Sequence, residues 1–264
     1  MSHPPLTALI FDVDGTLADT ERDGHRVAFN RAFAAAGLDW HWSVERYGQL
    51  LTTAGGKERL QRYIQEDCPD FPAQPDVVQW AATMHRAKTH HYKALVQEGI
   101  MPLRPGVRRL IQAARAAGMR LAIATTSAPE NVIALLQTNL DPDSPSWFEV
   151  IAAGDMVPAK KPAPDVYRYV LDQMELAPET ALAIEDSRQG LLAATRAGLK
   201  TVITRSHYTL EEDFSEAALV LDHLGEPDQP CTAIAGALGT ATYFDLAIAR
   251  QVLVTPTAIS AATP

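Results

Sequence analysis

Asp12 and Asp14 stand two residues apart, where an apolar run from Ala8 to Phe11 ends just ahead of Gly15. Carboxylates at a strand end are costly to bury unless something compensates their charge. Further along, Thr125, Thr126 and Ser127 follow a second apolar run, and Lys160 and Lys161 precede Pro162 beyond a third. Glu185 and Asp186 close a fourth. None of these signals is strong alone; together they suit phosphoryl transfer. Asp12, Glu185 and Asp186 crowded at one edge would repel and raise each other's pKa. A hard divalent cation removes that repulsion, and carboxylate oxygens suit Mg2+, which keeps a position for a substrate phosphate. Hydroxyls and backbone N–H groups near Thr125 can take phosphoryl oxygens, and a lysine can neutralise the remaining charge. A carboxylate beside a magnesium-bound phosphate can attack it and form an aspartyl-phosphate. A second carboxylate two residues on can protonate the leaving oxygen and then activate water.

The elements that must bring these residues together are short apolar strands alternating with amphipathic helices. Strands are expected at Thr7–Phe11, Arg120–Ala124, Val150–Ala153, Ala181–Ile184, Thr201–Thr204 and Leu219–Leu221. Helices are expected between Pro105 and Gly118, from Pro129, over Asp165–Met174, and from about Arg188 to Gly198. This alternation argues for an α/β fold, a doubly wound, Rossmann-like parallel sheet covered on both faces. Ligands of such sheets bind beyond the carboxyl ends of the strands, where all the residues above fall.

One interval breaks the rhythm. Over a hundred residues separate the first two strands, where a strand–helix–strand crossover needs only about 30 in total. The stretch reads as wholly helical. Val27, Phe29 and Phe33 share a helix closed by Gly37; Leu60, Tyr63 and Ile64 stripe another; Trp80, Ala81, Met84, Lys88 and Tyr92 fit a long third. Residues 18–100 are therefore expected to form an inserted all-helical cap, with 1–17 and 101–253 as the α/β core and 254–264 as a flexible tail.

The 264 residues carry a net charge of −9 and are 47% hydrophobic. The charge argues against nucleic acid or an anionic membrane as partner, and no stretch approaches the ~20 apolar residues of a membrane span. MSHPPL lacks a signal-peptide pattern. Cys68 and Cys231, far apart, read as structural thiols in a reducing compartment. The expectation is a cytoplasmic monomer acting on a small molecule.

TTAGGKERL, Thr52 to Leu60, raises the question of a second anion site. The plain reading is a Gly-Gly turn into an amphipathic helix. The alternative is that backbone N–H groups at the helix start, with Lys57 and Arg59, hold a phosphate. A Walker A loop is excluded, because Leu51 stands where its first Gly belongs and Glu58 follows the lysine.

FDVDGTL, IATTS, KKPAPD and IEDS, in this order and spacing, resemble the four motifs of the haloacid-dehalogenase-like phosphohydrolases. That resemblance implies that Asp12 is the nucleophile and Asp14 the general acid/base, its pKa raised in the substrate complex. It implies that Thr125, Thr126 and Lys161 hold the phosphoryl group. Mg2+ would be bound by Asp12, by Asp14 through its backbone carbonyl, and by Asp186, with Glu185 beside it. Dehalogenases lack the second aspartate, so Asp14 argues for phosphoryl transfer. GGKER with Glu21 resembles the CbbY type of this superfamily, whose members dephosphorylate xylulose-1,5-bisphosphate, an inhibitor of Rubisco. Glu21 would then bind sugar hydroxyls, and Gly55, Gly56, Lys57, Glu58 and Arg59 the distal phosphate. A β-phosphoglucomutase-like phosphomutase and a phosphoglycolate phosphatase are the competing readings. His25 falls near a histidine of the related mutases, with Gly24 weakening the helix start beside it. His85 to Tyr92 is given no role.

Overall fold

The computed structural model describes residues 5–68, 71 and 76–255. Its centre is a seven-stranded sheet in the order β3-β2-β1-β4-β5-β6-β7. The strands are β1 (Ala8–Phe11), β2 (Arg120–Ala124), β3 (Val150–Ala152), β4 (Ala181–Glu185), β5 (Lys200–Thr204), β6 (Leu219–Leu221) and β7 (Ala233–Ala235). β1 to β6 pair in parallel, and β7 joins β6 antiparallel. β1 lies at the middle, pairing β2 on one side and β4 on the other in matched register, so that Phe11 sits opposite both Ile123 and Ile184. The residues of β1 and β4 are all buried, as expected of strands covered on both faces. The matched register brings the strand ends level, and the residues that follow them share one rim.

Helices α5 (Val107–Ala116), α6 (Pro129–Asn139), α7 (Asp165–Gln173), α8 (Arg188–Arg196) and α9 (Leu246–Val254) clothe the sheet. Val107, Leu110, Ile111 and Ala114 form the buried stripe of α5, spaced to face one way. α9 and β7 were not expected. α9 presents Ile248, Ala249, Val252 and Leu253 to the same core, and Val254, assigned to the tail, is its last residue. The rest of the expected tail, 256–264, lies outside the described residues.

Between β1 and α5 the chain forms α1 (Arg26–Ala35), α2 (Val44–Leu50), α3 (Gly56–Asp67) and α4 (Val77–Gln97). These helices close on an aromatic core of their own, in which Phe29, Phe33, Trp42, Tyr47 and Tyr63 are buried. Asn30 fastens Trp42 by exchanging hydrogen bonds with its backbone N–H (2.8 Å) and carbonyl (3.0 Å). The chain leaves the sheet and returns to it at one place: Ala18 bridges both Asp14 and Leu103. Among the described residues no helix is long and apolar enough to cross a membrane.

Candidate active site

β1 ends at Phe11 and delivers Asp12 directly to the rim, where it is 6% exposed. The Lys161 ammonium donates to Asp12 Oδ1 (2.6 Å), to Glu185 Oε1 (2.5 Å) and to the Ala124 carbonyl (2.8 Å). One buried lysine thus bridges the ends of three adjacent strands. Glu185 is fully buried and also accepts from Tyr167 Oη (2.9 Å) and from the N–H groups of Asp186 and Ser187 (3.0 and 3.3 Å). Its carboxylate lies where a Cβ on Gly190 would sit, 1.8 Å from Oε1, so only glycine fits at that point of α8. Gly15, at φ +86°, fits Asp186 in the same way: a Cβ would fall 2.0 Å from Oδ2.

Asp12, Glu185 and Asp186 each offer an oxygen within 4.8 Å of the others. Burial, together with Glu185 and Asp14, pushes the Asp12 carboxyl up to about 8 against the pull of Lys161. Burial and the neighbouring Glu185 and Asp12 carboxyls drive Asp186 well above the ordinary range. Three buried carboxylates face one lysine, a deficit of positive charge that an oxygen-seeking divalent cation would correct. The residues therefore fit a Mg2+ ion. Glu185 already has Lys161, Tyr167 and backbone donors for both oxygens, so the oxygens free to hold a metal belong to Asp12 and Asp186.

Asp14 points away from this cluster. Its Oδ1 accepts from Thr20 Oγ1 (2.5 Å) and meets His25 Nε2 at 2.8 Å. Burial alone would raise this carboxyl; the imidazole of His25 and the hydrogen bonds from His25 and Thr20 outweigh it and hold Asp14 below the ordinary value. His25 Nδ1 lies 2.6 Å from Lys88 Nζ. An ammonium can only donate, so the ring proton belongs on Nε2, facing Asp14. Lys88 is 3% exposed, and burial pushes it down to about 8. His25 stacks on Tyr92 at 4.4 Å. The five-residue π-helical turn Glu21–His25 carries Gly24 past Met101, whose sulfur would lie 2.1 Å from a Cβ there. That is the physical reason for the glycine at a weak helix start.

Glu21 receives the Arg59 fork, Nη2 to Oε1 at 3.2 Å and Nη1 to Oε2 at 3.4 Å, and the Tyr47 hydroxyl donates to it as well. Arg59 also donates to Tyr47 Oη (2.9 Å) and to the Thr53 carbonyl (3.1 Å). Glu21 and Arg59, backed by Tyr47, line the far side of a cavity of about 210 Å³ whose near side includes Asp12, Thr125, Thr126, Lys161 and Asp186. A smaller recess opens beyond, sharing Asp14, Glu21, Arg59 and Thr126 with the main cavity. Gly55 and Gly56 at the start of α3 line it, opposite Ser127 and Asn131 at the start of α6. Asn131 is 1% exposed, and neither polar atom of its amide has a hydrogen-bond partner.

Lys57 and Glu58 lie outside both cavity walls. Lys57 pairs with Asp155, and Lys160 links Asp155 (3.2 Å) to Glu58 Oε1 (2.7 Å). The result is an ionic bridge from α3 to the loop before Lys161. Thr20, Tyr47, Lys88 and Asn131 were missed as site residues. A signal existed for Lys88 alone: it interrupts the apolar stripe of α4, between Met84 and Tyr92, where a charge needs a reason.

Residues 6–198 match the family model described as haloacid dehalogenase-like hydrolase. Protein CbbY of Cereibacter sphaeroides is 48% identical over 221 residues, covering 84% of this chain and 94% of that protein. The plasmid-encoded Protein CbbY of Cupriavidus necator is 49% identical, covering 85% and 88%. A crystal structure of a CbbY variant from Rhodobacter sphaeroides in complex with xylulose-1,5-bisphosphate is similar at a TM-score of 0.75 and 46% identity, over 83% of this chain and 94% of that one. Matched over residues 6–198, with Lys161 bridging Asp12 and Glu185 at the rim of its sheet, the chain belongs to the haloacid dehalogenase-like hydrolases.

Proposed function

We propose that this protein is a Mg2+-dependent phosphatase that hydrolyses xylulose-1,5-bisphosphate through an aspartyl-phosphate. The observation that carries the reading is the similar CbbY structure with that bisphosphate bound, at 46% identity over 94% of its chain. Asp12 is the nucleophile: its carboxylate oxygen forms a bond to phosphorus as the bond from phosphorus to the sugar oxygen breaks. Asp14, held ionised by His25 and Thr20 in the free protein, must first take up a proton as the anionic substrate enters; it gives that proton to the departing sugar oxygen, then takes one from the water that attacks the aspartyl-phosphate, so that inorganic phosphate leaves and both carboxyls are restored. Thr125, Thr126 and Lys161 hold the phosphoryl oxygens, and Lys161 keeps Asp12 aimed by sharing its ammonium with Glu185. Asp12, Asp186 and the Asp14 backbone carbonyl would hold Mg2+, which when bound offsets the charge of the carboxylates and phosphate. His25 and Lys88 fix the Asp14 carboxyl from behind.

Glu21, oriented by Arg59 and Tyr47, binds sugar hydroxyls. The distal phosphate sits in the inner recess, on the N–H groups at Gly55 and Gly56 with Arg59 beside them. Asn131 supports this assignment, because an unpaired buried amide is costly until a ligand meets it. Lys57 and Glu58 contribute by holding α3 against the loop that carries Lys161. The cap comprises residues 18–100 and the core 1–17 with 101–253, a division supported by the paired crossings at Ala18 and Leu103. A cytoplasmic monomer is part of the same reading, and the free Cys68 and Cys231 suit a reducing compartment.

Phosphate release in Mg2+ from xylulose-1,5-bisphosphate, ribulose-1,5-bisphosphate, β-glucose-1-phosphate and phosphoglycolate tests the reading. Strong preference for the first is expected. Slow release from all four, with conversion of the glucose phosphate to an isomer, would replace it with a phosphomutase.

A further inference from the structure

Arg104 stands where the chain re-enters the core after α4, one residue past the bridge between Ala18 and Leu103. Its side chain is 8% exposed, and the guanidinium is spent almost entirely on backbone carbonyls. Nη1 donates to Gly15 and to Thr204 (2.8 Å); Nη2 donates to Arg205 (2.6 Å) and Asp222 (2.7 Å). Its own N–H donates to the Leu17 carbonyl (2.8 Å). One planar fork therefore ties the turn after β1 to the ends of β5 and β6, a task for which a lysine has the wrong geometry. The Gly15 turn is the surface against which Asp186 rests, with a Cβ position 2.0 Å from Oδ2.

We infer that Arg104 is a positioning residue for the metal side of the site: its fork holds the Gly15 turn on the ends of β5 and β6, and that turn sets the place of the Asp186 carboxylate. Resting on the Mg2+-dependent reading, the inference goes beyond it. The loop that carries Asp14 is attached to both crossings into the helical insertion, and Arg104 is the group that fastens it to the sheet instead.

A plain stabilising role has a built-in control five residues along the chain. Arg109 also spends its guanidinium on carbonyls, of Leu224 (3.3 Å), Gly225 (2.7 Å) and Phe244 (2.9 Å), and on Glu226 Oε2 (3.1 Å), and none of these partners belongs to the turn after β1. The experiment compares Arg104→Met and Arg109→Met in the full chain. Mg2+ binding is measured by calorimetry without substrate, alongside melting temperature, KM and kcat. Both variants are expected to melt earlier. Arg104→Met alone is expected to bind Mg2+ roughly tenfold more weakly and to lose kcat by a similar factor, with KM within about twofold. Equal Mg2+ affinity in the two variants overturns the inference. If Arg104→Met does not fold, Arg104→Lys keeps the charge without the fork and is judged by the same binding ratio. A wild-type protein that neither binds Mg2+ nor needs it for turnover overturns the Mg2+-dependent reading itself, and the inference with it.

Discussion

The two walls of the cavity are built on opposite electrostatic plans. On the sheet side, Asp12 and Glu185 share the Lys161 ammonium with Asp186 beside them, and burial drives Asp12 and Asp186 toward their protonated forms. On the insertion side the charges already have partners: Glu21 with Arg59 and Tyr47, and His25 with Lys88 behind it and Asp14 in front. The sheet side is thus built to receive positive charge and a reacting phosphate. The insertion side is built to hold a shape. A substitution on the first wall should remove chemistry and spare the fold; one on the second should change which ligand fits, how the helices sit, or how firmly Asp14 is held from behind.

Asp12→Asn is the severest break of that contrast. It removes the nucleophile and one member of a crowded carboxylate set, leaving Lys161 with Glu185. Turnover is expected to fall by roughly 10⁴ or more, with the melting temperature unchanged or higher because repulsion is relieved. A variant with substantial residual phosphate release would end the assignment of Asp12 as nucleophile.

Lys88→Met sharpens it from the other side. The variant removes the support behind His25, and kcat should drop about tenfold, the worth of one charge-assisted hydrogen bond. Stability carries a separate signature. Lys88 is pushed from its ordinary 10.5 down to about 8 by burial. Between those values the unfolded chain keeps a proton that the folded protein has released, so this group's contribution to stability rises with pH across that window. The methionine variant lacks that rise. Its advantage over the wild type should be largest below pH 8 and shrink toward pH 10.5. Parallel melting curves from pH 7.5 to 10.5 would mean that Lys88 titrates as an exposed lysine does.

The same contrast explains what the sequence made legible. β1, β2 and β4 are largely apolar runs buried on both faces, and a residue following such a run must lie on the rim; Asp12, Thr125 and Glu185 were therefore readable from spacing alone. β7 is only three residues, Ala233 to Ala235, with Ile234 exposed, too short and too wet to carry a strand pattern. α2 and α9, at seven and nine residues, hide among turn-rich sequence. On the insertion side the site depends on pairs 26, 38 and 63 residues apart, Tyr47 with Glu21, Arg59 with Glu21, and Lys88 with His25. No local pattern encodes such pairs. Arg59 was found only because it follows a Gly-Gly turn, and Asn131 was not found because a buried amide without a partner looks in sequence like any polar residue of a helix.

Lys57 and Asn131 give the finest test, because sequence and structure rank them in opposite order. Sequence favours Lys57, the cation beside the Gly-Gly turn, as a phosphate ligand. In the structure its ammonium is committed to Asp155, outside the recess, while the Asn131 amide lines the recess with both polar atoms unpaired. Asn131→Ala should raise KM for xylulose-1,5-bisphosphate by roughly tenfold, since a hydrogen bond to a charged group is lost, and should leave KM for a monophosphate nearly unchanged. Lys57→Ala loosens a partly exposed ion pair worth at most about 1 kcal/mol, so its effect should be a few-fold, equal for both substrates, and reduced further by salt. The decisive measurement is the ratio of the two KM changes in each variant. A bisphosphate-selective defect in Lys57→Ala, with none in Asn131→Ala, would return the distal phosphate to the lysine and make the ionic bridge to Asp155 an arrangement that substrate displaces.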